Sequence, residues 1–491
     1  MLKNFYKTNK NQAFYISLKN NKLTQIDICF NKKEKENFEY VYSVDLPDET
    51  PNLQIRLDID KNILLKGFQL FTQNKEGQLE ILDTGISDSL YGFYHEGSSL
   101  VYNPKMLMNI DEYDFTRIVE SNMIDPDYFQ LDYIFTASED SLTEPTKIST
   151  FIQSKNKQTT LTFKPKNGTH SVYFHPGMLQ LQPSYFYFKA IPENFKISKF
   201  LIIQNKNNSG QNTLKPLPAD LGSINQFKQS NWRNEKYELF SWNLYPNVLI
   251  FDTLDYEVQS RFFKRLAFFT EKKGYIGQVL DNASLENKHG WNAHDYKALD
   301  LARFFTIATA KSINLFPEEW LLRNILLEQS IISQSASEYL PNTGAVISVS
   351  RASGRDLHKT LLAHEALHGA FFTNSAFRLG VENLWQGLPY SQKEMWKMFF
   401  STLSYNPEDE LLMANEYMAY LLQYERKTSF AYLNDYKIPQ AASRHPELAS
   451  ILLGPINNNP HLILDLHSQI EDIAYRTAGL RGGLNSCLEI P

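Results

Sequence analysis

Cysteine is almost absent from this chain of 491 residues: only Cys29 and Cys487 occur, near opposite ends. Two such residues build neither a disulfide framework nor a cysteine-based zinc knuckle, so any bound metal must be held by His, Asp or Glu. A surplus of positive charge is missing too. Lys and Arg number 49 against 55 Asp and Glu, a net charge of −6, which leaves no basic excess to neutralise a run of phosphates and argues against nucleic acid as a partner. Long apolar runs are also lacking, since no window approaches the roughly 18 consecutive apolar residues of a membrane span. The most apolar stretch, LLMANEYMAYLL at 411–422, is shorter and carries a charge. The N-terminal MLKNFYKTNKNQAFYISL interrupts its apolar residues with Lys and Asn. No secretory signal is legible there, and the chain is expected in the cytoplasm unless a leader has been removed.

What is present divides the chain in two. Up to about residue 245, apolar and polar residues alternate in short runs separated by Asn, Lys, Gly, Asp and Pro clusters, the pattern of antiparallel strands. Two hairpins are expected, one joining AFYISL to LTQIDICF through KNNK and one joining TTLTFKP to THSVYFHP through Asn167-Gly168, a dipeptide that tolerates positive φ. After residue 245 the period changes: Leu254, Val258, Phe262, Leu266 and Phe269 recur every three or four residues before Gly274, as in an amphipathic helix with a glycine stop. Further helices are expected near 295–311, 317–330, 356–372, 391–404, 408–426 and 460–475. The chain therefore reads as an α+β multidomain protein. Two antiparallel β-rich, sandwich-like modules at 1–105 and 106–245 precede a mainly α-helical domain at 246–491.

Histidine is placed as unevenly as cysteine is scarce. His95, His170 and His175 are alone in the first 288 residues, and the other eight lie between His289 and His467. Among them, His364-Glu365-Ala366-Leu367-His368 matches H-E-x-x-H within an expected helix. At about 1.5 Å rise per residue, positions i and i+4 share a face about 6 Å apart along the axis, so two imidazoles can hold one ion. Glu365 can then remove a proton from a water activated by that ion, and zinc makes hydroxide available near pH 7. Leu357, Leu361, Leu362, Ala366, Leu367, Ala370 and Phe371 frame the motif at helical spacing, so its three polar side chains face burial and need a partner. The longer pattern H-E-x-x-H-x-x-G-x-x-H is excluded, because Phe371 and Asn374 stand where Gly and His are required. Downstream, Asn415-Glu416 is the one strongly polar pair in LLMANEYMAYLL, and a carboxylate in an apolar helix calls for a partner such as a metal.

H-E-x-x-H on one helix and N-E-x-x-A on a later one, with 47 residues between His368 and Glu416, resembles the gluzincins, the glutamate zincins that include thermolysin-like and M1-type peptidases. The likeness covers two helices. It implies a zincin-like catalytic domain with His364, His368 and Glu416 as zinc ligands and Glu365 as general base, acting on a peptide or protein substrate. Many gluzincins place an Asp four residues after the ligand Glu to support a histidine, whereas this chain has Tyr420; Asn415, Glu382 and Asp409 are alternatives for that support. By the same resemblance, the segment Gly344–Ser350 is expected to be an exposed edge strand that binds extended substrate. It carries no acid to hold a free amine, which favours cleavage within chains. An oxyanion donor is expected downstream of Glu416, with Tyr475 ahead of His445, His467, Arg476 and Arg481.

Blander readings apply to the other candidates. His289 and His294 in HGWNAHDY are expected to flank a loop and helix start, with Asp295 as the cap, rather than to form a second metal site. His358 is expected on the outer face of the motif helix. The rival to a zinc metallopeptidase is a binding or scaffold protein with a structural or inactive zinc site, and a zinc amidase acting on a non-protein substrate is a further alternative.

Overall fold

The computed structural model describes residues 213–272 and 274–483 without a break, together with separate stretches before and after them. Two compact units divide the chain, Met1–Lys206 and Asn207–Ile490.

The first unit is antiparallel β throughout its described strands. One sheet takes Tyr6–Lys7, Leu64–Phe71, Gln25–Lys32 and Phe38–Asp45 in that spatial order, and another takes Asn52–Leu57, Gln12–Asn21 and Gln78–Asp88. A third runs Gly168–Phe174, Tyr128–Phe135, Phe195–Ile203, Ser99–Tyr102, Phe93–Glu96; a fourth contains Tyr185–Phe188, Ile148–Ser154 and Lys157–Phe163 as neighbours. Alternation is strict in Tyr128–Phe135, where Phe129, Leu131, Tyr133 and Phe135 are buried. The Tyr133 and Phe195 rings of the third sheet meet Phe163 of the fourth at 5.8 Å, so the two sheets face each other as a sandwich.

Neither expected hairpin forms. Gln12–Asn21 and Gln25–Lys32 enter different sheets, as do Lys157–Phe163 and Gly168–Phe174. The dipeptide Asn167-Gly168 does turn the chain, with Gly168 at φ +100°, but it makes a corner between sheets. Alternation along a strand identifies which face is buried and carries no record of which strand lies alongside. The boundary expected at 105 also does not separate sheets, because Ser99–Tyr102 pairs with Phe195–Ile203.

The second unit is built on a five-stranded mixed sheet, and its strands begin before residue 245. In chain order these are β1 (Leu217–Ala219), β2 (Tyr237–Trp242), β3 (Tyr245–Thr253) and β4 (His294–Lys297), then β7 (Ala345–Ser350) after the hairpin β5 (Ile332–Ser335) and β6 (Glu338–Pro341). The spatial order is β1-β2-β3-β7-β4, with β3 parallel and β4 antiparallel to β7. Residues 217–253 thus belong with the helical unit and not with a second N-terminal β module. β7 is also not the exposed edge expected of it. All six of its residues are buried between β3 and β4, and continuous burial on both faces is the property of an internal strand. The edge strand next to β7 is β4, and β1 ends the sheet on the other side.

One face of the sheet is covered by α2 (Tyr256–Thr270), α3 (Ala298–Ala310) and α4 (Pro317–Glu328), whose Phe262, Phe263, Leu301, Phe305 and Leu322 share a core with Leu249 and Phe251 of β3. The motif helix α5 (Arg355–Thr373) packs against β7, β3 and β4. Gly369 makes the close approach possible: a Cβ there would sit 2.7 Å from Cγ1 of Val248, closer than packing allows. Against α5 lie α6 (Ser375–Gly387) and α8 (Glu410–Leu422), with α7 (Tyr390–Thr402) beside α8. Asn374 and Asp409 cap α6 and α8 by accepting from Phe377 and Leu412 N–H, each satisfying an N–H that the first turn leaves free.

The N-terminal end of α5 is anchored by a buried polar network. Asp252, fully buried at the end of β3, accepts from Arg351 Nε at 2.8 Å and bonds His358 Nε2 at 3.0 Å. His358 Nδ1 bonds Asn225 Oδ1 at 3.0 Å in α1 (Leu221–Gln226), and Arg351 donates to the carbonyls of Ile224 and Phe227. His358 is therefore interior, contrary to the outer face expected of it, because it is held between Asp252 of β3 and Asn225 of α1. Asp252→Ala strands Arg351 and His358 without their anion and is expected to cost about 3–5 kcal/mol. Urea unfolding checks this, and a loss below about 1 kcal/mol contradicts the anchoring role.

Candidate metal centre

α5 presents His364 and His368 one turn apart, their ring centroids separated by 4.7 Å. Glu416 of α8 meets both, with Oε2 3.5 Å from His364 Nε2 and Oε1 3.7 Å from His368 Nε2. Donor atoms around one tetrahedral zinc stand about 3 to 4 Å apart, so the three side chains are spaced to share an ion. The three sit 8%, 1% and 4% exposed, on helices whose other buried residues are apolar apart from His358, Glu365 and Asn415.

The donor set fits a metal on two further counts. His364 Nδ1 lies 3.0 Å from Gln423 Oε1; a carboxamide oxygen only accepts, so the proton stays on Nδ1 and the lone pair of Nε2 faces Glu416. Oε2 of Glu416 and Nδ1 of His368 are buried without hydrogen-bond partners, a condition that costs about 1–3 kcal/mol per group. A cation at Glu416 removes part of that penalty. Burial pushes His364 down to about 4, against the pull of Asp295 and Gln423, which leaves the imidazole neutral at pH 7, the form that coordinates. Burial, opposed by His368 and reinforced by Asp295, pushes Glu416 up to about 7.

Support for His364 thus comes from Gln423, two turns beyond Glu416 on the same helical face, and not from Asn415, Glu382 or Asp409. Asp409 is occupied as the α8 cap, and Glu382 stands 3.9 Å from Arg378. Tyr420 packs edge-on to the His364 ring at 5.1 Å, where many gluzincins place a carboxylate. Gln423→Ala is expected to weaken metal binding about 10- to 100-fold. Competition against a chelator of known affinity measures it, and an unchanged affinity removes Gln423 from this role.

The donors open onto a cleft of about 520 Å³, within the second unit, whose walls include Glu365, Trp291, Asp295, Tyr405 and Tyr420. Glu365 is 6% exposed, and burial, followed by the charges of Asp295, Glu416 and Glu271, holds its carboxyl well above the usual range. Asp295 is a residue the sequence pattern misassigned. It belongs to β4, while the helix it was expected to cap begins at Ala298 after Lys297. Asp295, Glu365 and His368 form a second group with ligand atoms within 4.8 Å of one another, overlapping the first at His368. His294, its neighbour, is no ligand here: it bonds the Tyr296 hydroxyl at 2.8 Å, and burial pushes it down to about 3.

The tyrosine expected to serve the oxyanion is elsewhere. Tyr475 is not among the residues lining the cleft; on Leu462–Ala478 it lies beneath the Arg481 guanidinium, 4.6 Å from the ring centroid. His467 bonds the Tyr424 carbonyl at 3.1 Å, and Arg476 is engaged with Asp472 at 2.8 Å. Tyr405 and Tyr420 line the cleft instead, next to Glu416. Tyr405 stands in the loop between α7 and α8, where no periodicity marks it.

No protein-family model matches this chain, and no curated protein matches it in sequence. Among the described residues no helix is long and apolar enough to cross a membrane.

Proposed function

We propose that the second unit is a zinc-dependent hydrolase of peptide bonds, with His364, His368 and Glu416 holding the metal and Glu365 as general base. The observation that carries this reading is the meeting of two histidine Nε2 atoms and one carboxylate within 4.8 Å on the wall of an open cleft. Zinc held there supplies a Lewis acid that polarises a carbonyl and brings the pKa of water to about 7.

The chain's own residues account for the rest. Glu365 accepts a proton from the attacking water, and its raised pKa makes it a stronger base than an exposed Glu; once protonated it can pass that proton to the leaving amine. Burial raises the phenols of Tyr405 and Tyr420, so both stay protonated at neutral pH and can donate to the oxyanion that develops on the scissile carbonyl. Buried donors of this kind act where the local dielectric is low and need no reorganisation.

β4 supports an extended substrate. It ends the sheet, and its outer edge has no strand partner among the described residues, so its main-chain groups suit pairing with a peptide. The acid-free strand β7 is internal, whereas the edge strand β4 carries Asp295, so lack of an acid at the edge no longer favours cleavage within chains.

Purified protein is expected to contain about one zinc and to cleave members of a peptide library in a chelator-sensitive manner. Failure to bind metal after refolding with zinc overturns the proposal, and metal binding without cleavage identifies the scaffold reading instead.

A further inference from the structure

Two carboxylates of the cleft are left over once the metal and the base are accounted for. Among the described residues its lining holds Glu271, Asp295, Glu365 and Glu416 against a single lysine, Lys437, and no arginine. A divalent ion offsets two of these carboxylates and no more, which leaves Asp295 and Glu271; burial, reinforced by Asp295 and Glu416, holds the Glu271 carboxyl well above the usual range, a cost that a cation bound beside it would reduce.

Their positions follow from local structure. Successive residues of a strand point to opposite faces; His294 and Tyr296 pack on Phe263 of α2, which sends Asp295 to the α5 side, within 4.8 Å of Glu365 and His368. Glu271 immediately follows α2, its N–H bonded to the Ala267 carbonyl. The carbonyl end of a helix disfavours a negative charge by about 0.3–1 kcal/mol, so nothing in the helix calls for an acid there. The adjacent Lys272 is turned onto the Trp291 ring, 3.0 Å from its centroid. Oε2 of Glu365, a side chain 6% exposed, lines this space without a hydrogen-bond partner, and the edge of β4 that no described strand pairs runs beside it.

We propose that Asp295 and Glu271 form a subsite that binds a positively charged group of the substrate, a protonated amine or a guanidinium. This rests on the reading of the cleft as a peptide hydrolase. The cation comes from either of two sources, the free N-terminus of a peptide or a Lys or Arg side chain, and an extended peptide on β4 can deliver both.

Four peptides of one backbone sequence test it with wild-type, zinc-loaded protein: free or acetylated at the N-terminus, each with Arg or norleucine at an internal position. The charged member is expected to exceed its neutral counterpart in kcat/KM by about tenfold or more, as for a charge-assisted hydrogen bond. The pair that shows the difference identifies the source, and in Glu271→Gln that ratio is expected to fall toward one. Calorimetric binding of the same peptides to Glu365→Gln protein gives a second readout independent of turnover. Equal rates for all four overturn the inference while leaving the hydrolase reading intact, as does a ratio that Glu271→Gln leaves unchanged. Two metal ions per chain also overturn it, since the second would occupy the place assigned to the amine. Absence of both cleavage and binding for all four peptides removes the hydrolase reading, and the inference with it.

Discussion

Glu365→Gln is expected to lower peptide hydrolysis by about 100- to 10,000-fold, the usual contribution of a positioned general base, while the protein keeps about one bound metal. The amide preserves the size and hydrogen-bonding shape of the side chain, so the fold has no reason to change, but it cannot accept the proton. Three nearby acids and burial hold the carboxyl of Glu365 above its ordinary range, which is the condition under which a carboxylate becomes an effective base near neutral pH. Initial rates and metal content measured on the same preparation separate the chemistry from ligation. Residual activity above about one tenth of wild type would falsify the assignment of Glu365 as base, and loss of metal would show that Glu365 is a ligand.

Glu416→Gln is expected to weaken metal binding by more than the roughly 100-fold upper end associated with supporting residues such as Gln423. Glu416 is the anion of the first donor set and the side chain that approaches both histidines. Metal content after dialysis, followed by chelator competition, provides the measurement. Retention of the metal with wild-type affinity points to the overlapping set of Asp295, Glu365 and His368. The metal-free variant has a distinguishing behaviour. Its neutral amide replaces a carboxyl that burial raises to about 7, so at pH 8 it avoids the penalty of ionising a buried group. Metal-free Glu416→Gln is therefore expected to melt no lower than metal-free wild type at that pH.

Much of the candidate site was legible along the chain because it lies on helices. His364, Glu365 and His368 follow from the helical repeat, and Glu416 stood out as a carboxylate in the otherwise apolar run of α8. Gln423 was within reach of the same reasoning, since seven residues after Glu416 is two turns on the same face. Asp295 was not, because a four-residue strand immediately before a helix resembles the first turn of that helix. Tyr405 lies in a loop with no period to read, and Tyr475 was chosen for its distance along the chain, a quantity that packing does not respect.

Local pattern alone determined that the chain begins in antiparallel strands and continues in helices, that any metal would need His and carboxylate ligands, and which helix would offer two of them. Dihedral preference and side-chain period act over a few residues, and those conclusions depend on nothing longer. Tertiary structure decided which strands pair, that β4 rather than β7 forms the open edge, that His358 is interior, and that Asp295 and Glu271 stand in the cleft beside Glu365. Each of these depends on contacts between residues far apart in the chain, and the pattern that marks a face for burial is silent about what will cover it.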